Sequence, residues 1–168
     1  METTPELAIN ESNQLLLLVP YQRNGISYVE AGSIDQPICD RRGDLICADW
    51  GYAYLASTNG SGKSVSLGDY YGMKESFVKN GTLATTKTKW TTRKEEDNPA
   101  MAYVHNLGSV SNSGKEGFMM LGYDDIYSIE YMYEKRMGYW KHDGKVTIFD
   151  ASKIERQLSG YYGTLSRL

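Results

Sequence analysis

Two adjacent carboxylates in residues 122–131, GYDDIYSIEY, are the first candidates for acid–base chemistry, with Tyr123, Tyr127 and Tyr131 around them. Two carboxylates share a proton only when both face one point. Neighbours on a strand point to opposite faces, and neighbours at a helix start diverge by about 100°. Asp124 and Asp125 are therefore expected as a helix N-cap and a first-turn charge, contributing about 1 kcal/mol at a strand-to-helix corner.

Other motifs carry less chemistry. NGSGKS, residues 59–64, has Ser57 where a phosphate-binding loop needs a glycine, and no helical period follows it. Ser76 and Lys79 have S-x-x-K spacing, but the partner motifs S-D-N and K-T-G are missing. His105 and His142 lie far apart, without a cysteine or carboxylate at ligand spacing. Asp40, Asp44 and Asp49 do not fit the alternation of a calcium loop. No metal and no cofactor are expected.

Cys39 and Cys47 stand symmetrically about Gly43 in a hairpin-like stretch. A cross-strand disulfide and a pair of small buried thiols both fit, because two cysteines in a chain this long do not make a disulfide framework.

The elements that must position these residues are mostly strands. With 14 Tyr, 17 Gly and 3 Trp, the composition favours strands joined by glycine turns over a helical bundle. Residues 14–20 (QLLLLVP) read as a buried strand closed by proline. Residues 25–34 read as a second, with Ile26, Tyr28 and Ala31 on one face. Residues 58–66 read as a flexible connection, 73–79 as a short helix and 82–92 as a one-sided strand. Buried strands are expected at 100–107 and 117–123. From Asp125 onward, Ile126, Ile129, Tyr133, Met137 and Trp140 recur at steps of three or four, which predicts an amphipathic helix stopping near Gly138. A short strand is expected at 146–149, and a helical stretch beyond it.

One domain is expected for 168 residues, with about 150–168 as a helical linker toward a further domain that the chain lacks. A net charge of −3 gives no field to gather phosphates, and no run of 18 apolar residues occurs, so neither nucleic acid nor a membrane is an expected partner. The first residues show no signal peptide. The fold class expected is mainly β: an antiparallel β-sandwich with one or two short helices.

Two stretches carry a family resemblance. SIDQP…GDLICADWGYAYLAS (33–57) and FMMLGYDDIYSIEYMYEKRMGYW (118–140) resemble the region that precedes the catalytic part of glutaminase A-like proteins, which are large and mostly exported. The chain has Met132-Tyr133 where that family usually shows Phe-Gly. The resemblance implies a non-catalytic N-terminal β-sandwich in the periplasm or secreted, buttressing a helical toroid domain of the same parent hydrolase. Asp124, Asp125 and Tyr127 would then lie near the domain junction, and an exposed junction surface would also serve for an oligomer. The alternative is a stand-alone carbohydrate-binding module stacking sugars on Trp50, Tyr52, Trp90 and Tyr103, for which the competing explanation of those rings is core packing.

Overall fold

The computed structural model describes residues 2–9, 11–40, 50–60, 62–83 and 88–151. Ten strands fall within them: β1 (Glu2–Thr3), β2 (Leu15–Arg23), β3 (Ile26–Ser33), β4 (Tyr52–Thr58), β5 (Lys63–Asp69), β6 (Trp90–Arg93), β7 (Pro99–His105), β8 (Met119–Asp124), β9 (Ile129–Tyr131) and β10 (Glu134–Arg136). Two short helices, α1 (Tyr70–Asn80) and α2 (Lys94–Asp97), two 3₁₀ turns and a helical turn at 148–151 accompany them. The fold is mainly β, as its composition predicts.

A five-stranded sheet runs β6-β2-β3-β4-β8, a three-stranded sheet runs β1-β7-β5, and β9 pairs with β10 alone. Every pairing is antiparallel. The β2–β3 hairpin turns at Asn24-Gly25, both with positive φ (53° and 75°), the conformation that makes Asn-Gly the favoured two-residue turn. Pro20 is accommodated because β6 pairs only with Leu15 to Leu18, leaving β2 one-sided beyond them.

Period-two alternation then divides the side chains. Leu16, Leu18, Val29, Ala31, Ala53 and Leu55 point inward from the large sheet, meeting Leu67 and Met101 of the small one; all eight are fully buried. Each buried Leu or Val contributes about 1.5–3 kcal/mol relative to exposure, so this layer is the main source of stability. Ala31 therefore does not share a face with Ile26 and Tyr28, because an odd step reverses the side chain. Those two join Ala56, Met120 and Phe149 on the outer face.

Several expectations change. Residues 63–66 belong to β5 rather than to a flexible connection, since pairing with β7 satisfies their backbone. Helix α1 starts before residue 73: Asp69 caps it, accepting the Gly72 N–H at 2.5 Å, and Gly81 ends it in the left-handed region (φ 67°). Within residues 82–92, only Trp90 to Thr92 lie in a strand, and 84–87 lie outside the described residues. The expected strand at 146–149 is a turn leading into a helical turn at 148–151.

The largest correction concerns residues 125–140. No amphipathic helix forms there: β8 ends at Asp124, Ile126 takes a positive φ of 59°, and the β9–β10 hairpin follows. Of the apolar residues expected to form a buried helix face, Ile129, Tyr133 and Met137 are instead exposed, Tyr133 at 97%, while Ile126 and Trp140 are half-buried. Asp124 still caps a backbone N–H, accepting from Ile126 at 2.9 Å, but it closes a turn after a strand rather than starting a helix. The helical stretch expected at the C-terminus lies, from 152 on, outside the described residues.

Candidate domain-junction site

The two stretches that carry the resemblance touch each other. Gln36 bridges Ser33 and Gly51: its amide donates to the Ser33 carbonyl at 2.6 Å and to the Gly51 carbonyl at 3.3 Å, and it accepts the Gly51 N–H at 2.5 Å. Gly51 has φ +90°, and a Cβ there would lie 2.3 Å from the Asp124 carbonyl oxygen. Only glycine lets the two backbones come this close. Beside it, the Trp50 indole N–H donates to the Tyr127 carbonyl at 3.0 Å, and the Tyr123 hydroxyl donates to the Trp50 carbonyl.

Lys141 fastens the far side. Its ammonium pairs with Asp124 and donates to the Ile126 carbonyl at 2.9 Å, with the side chain only 8% exposed. Asp124 thus gives its carboxylate to Lys141 and the Ile126 N–H, an arrangement that fastens a corner rather than activates a nucleophile. Asp125 lies at the same corner, its carbonyl accepting the Tyr127 N–H at 2.5 Å.

Between this corner and the β9–β10 hairpin opens a cavity of about 600 Å³ lined by Cys39, Trp50, Ser128, Ile129, Met132 and Tyr133. Cys39 presents a thiol to the Tyr127 carbonyl at 3.8 Å. Burial pushes that thiol up, and Glu130 and Asp125 push the same way against Lys135, so it is a poor nucleophile. The Cys39–Cys47 question involves Cys47, which lies outside the described residues, as do Asp44 and Asp49.

On the outer face of the large sheet, Glu30 accepts the hydroxyls of Tyr54 at 2.6 Å and Tyr21 at 3.2 Å. Burial, then the Glu30 hydrogen bond, raises Tyr54 well above the usual phenol range; burial also raises Tyr21 and Tyr52. Phe149 sits edge-on against Tyr28, Tyr54 and Tyr21, with ring centroids at 5.1, 6.0 and 6.4 Å, and Arg23 lies over its ring at 5.1 Å.

The structure therefore brings Asp124, Asp125, Tyr127, Trp50 and Cys39 to one corner, with Tyr52 beside them as the strand partner of Asp124. It sends Trp90 and Tyr103 to the inner layer between the sheets, so the four aromatic residues do not form one exposed row. Among the described residues, no three His, Cys, Asp or Glu side chains cluster as metal ligands. Ser76 and Lys79 are otherwise engaged: Ser76 donates to the Thr82 carbonyl at 3.0 Å and Lys79 pairs with Glu75 at 2.5 Å. Sequence reasoning missed Lys141 and Glu30. Period-two alternation along β3 could have placed Glu30 beside Tyr28, but no local signal marks Lys141 as buried.

Fold and corner together define a β-sandwich domain whose conspicuous surface is apolar and lies beside a fastened strand end. The chain belongs to the family described as a domain of unknown function, DUF5127, whose model matches residues 1–162. No curated protein and no solved structure matches it.

Proposed function

We propose that this domain is the exported, non-catalytic N-terminal β-sandwich of a glutaminase-like hydrolase, and that it buttresses a helical toroid domain of the same parent. The observation that carries this reading is the exposed apolar surface of the hairpin and the segment after it. Tyr131 is 61% exposed, Met132 75%, Tyr133 97% and Tyr139 93%. Large apolar side chains this exposed, three of them consecutive at the hairpin tip, fit an interaction surface. The corner of Asp124, Gly51 and Lys141 supports it by fixing the hairpin base to the sandwich. The resemblance supplies the partner.

The test measures glutamine hydrolysis by this chain alone, by a candidate toroid domain alone, and by the two joined. Activity is expected in the joined protein and should drop when Met132 and Tyr133 are replaced by serine. Hydrolysis by the 168-residue chain alone would sink the proposal.

A further inference from the structure

We propose that Asn80 is an acceptor for an N-linked glycan whose first sugars lie over the apolar end of α1. The proposal rests on the exported setting inferred above. Asn80-Gly81-Thr82 has the N-x-S/T acceptor pattern, in which the third residue's hydroxyl is required for transfer. The triplet is placed where a bulky adduct is tolerated. Asn80 is the last residue of α1, Gly81 turns the chain at φ 67°, and all three residues are exposed.

A second, independent observation gives the glycan something to cover. Phe77 lies three residues before Asn80, on the same helix face, and is 47% exposed; Val78 beside it is 84% exposed. With Met73, Leu83 and Val104 they line an open cavity of about 580 Å³ between α1 and β7. The C–H faces of a sugar stack on an aromatic ring, so a proximal sugar linked to Asn80 shields Phe77 without any contact to the sandwich core. Asn10-Glu11-Ser12 and Asn59-Gly60-Ser61 spell the same pattern; the Asn59 carboxamide oxygen accepts the Ser27 hydroxyl at 2.5 Å and Asn10 lies outside the described residues, so both are replaced by glutamine in the test.

The reaction transfers an oligosaccharide from a lipid-linked pyrophosphate donor. The Asn80 Nδ2 attacks the anomeric carbon, a C–N bond forms, the C–O bond to pyrophosphate breaks, and Nδ2 loses one proton as the lipid pyrophosphate leaves. The test is cell-free translation of the full chain behind a cleavable signal peptide with endoplasmic-reticulum microsomes, in an Asn10→Gln, Asn59→Gln background. Protease-protected chain should carry one endoglycosidase-sensitive glycan, kept by Thr82→Ser and lost in both Thr82→Ala and Asn80→Gln. The glycosylated domain should also bind a hydrophobic dye less than its enzymatically deglycosylated form, and Phe77→Ser should abolish that difference. Protected chain without a glycan, or a glycan with no effect on dye binding, overturns the proposal. Because the signal peptide is supplied, a glycosylated chain that fails to support hydrolysis with the toroid domain counts against the junction alone.

Discussion

Lys141 and Asp124 form an ion pair at the base of the hairpin, with their side chains 8% and 18% exposed. Removing one member leaves the other charge buried without its partner, which costs more than the pair itself contributes. Lys141→Met should destabilise the domain by about 3 kcal/mol, while Lys141→Met with Asp124→Leu should recover much of that loss. Urea unfolding of the two variants checks this; a larger loss in the double variant contradicts it.

Gly51 should be the least replaceable residue of the corner. Alanine there meets the Asp124 carbonyl at 2.3 Å and takes an unfavourable positive φ, so a loss of at least about 2 kcal/mol is expected. Trp50, joined to Tyr127 through its indole, reports the disturbance as a shift in tryptophan emission. An unchanged melting temperature in Gly51→Ala would mean the two strand ends are not held together.

Met132 and Tyr133, with φ of 48° and 66°, occupy both central positions of a two-residue hairpin turn that Asn-Gly fills at lower cost. Met132→Asn with Tyr133→Gly should therefore stabilise the isolated domain by about 1 kcal/mol while lowering activity in the joined protein. Stability and docking would move in opposite directions. Thermal unfolding and hydrolysis on the same preparation separate them, and a stabilised variant with full activity would remove the tip from the junction.

Phe149 should anchor the last described segment. Replacing it by alanine removes three edge-on ring contacts and the Arg23 contact, at a cost of about 3 kcal/mol. Hydrogen exchange should quicken at 146–151 before it quickens in β3 and β4. Uniform quickening would place the segment in the main cooperative unit instead.

Tyr54 gives a pH dependence with a definite sign. Its phenol is raised above its unfolded value of about 10 by burial and by Glu30. The associated stability is complete below pH of about 10 and is lost as pH climbs toward the raised folded value. Ultraviolet titration should show Tyr54 ionising only on alkaline unfolding. Tyr54→Phe should flatten the alkaline limb of the stability curve.

What the sequence revealed follows from which physics is local. Strand content was legible in the tyrosine, threonine and glycine usage, and β2 and β7 in their apolar runs. The hairpin was not. Ile126, Ile129 and Tyr133 recur at helical steps, but the same stretch also alternates at Ile129, Tyr131 and Tyr133, and the turn between its strands lacks the Asn-Gly signal present at residues 24–25. Of the corner residues, Asp124 and Tyr127 stood out because carboxylates and tyrosines cluster in one string. Lys141 did not, since its burial depends on a partner set by tertiary packing.

Gln36 holds the Ser33 and Gly51 backbones together from one side chain, across a stretch of chain that separates them by 18 positions. Gln36 thus acts as a clasp: Gln36→Leu, which keeps the bulk of the side chain but none of its three hydrogen bonds, should let the end of β3 and the start of β4 part.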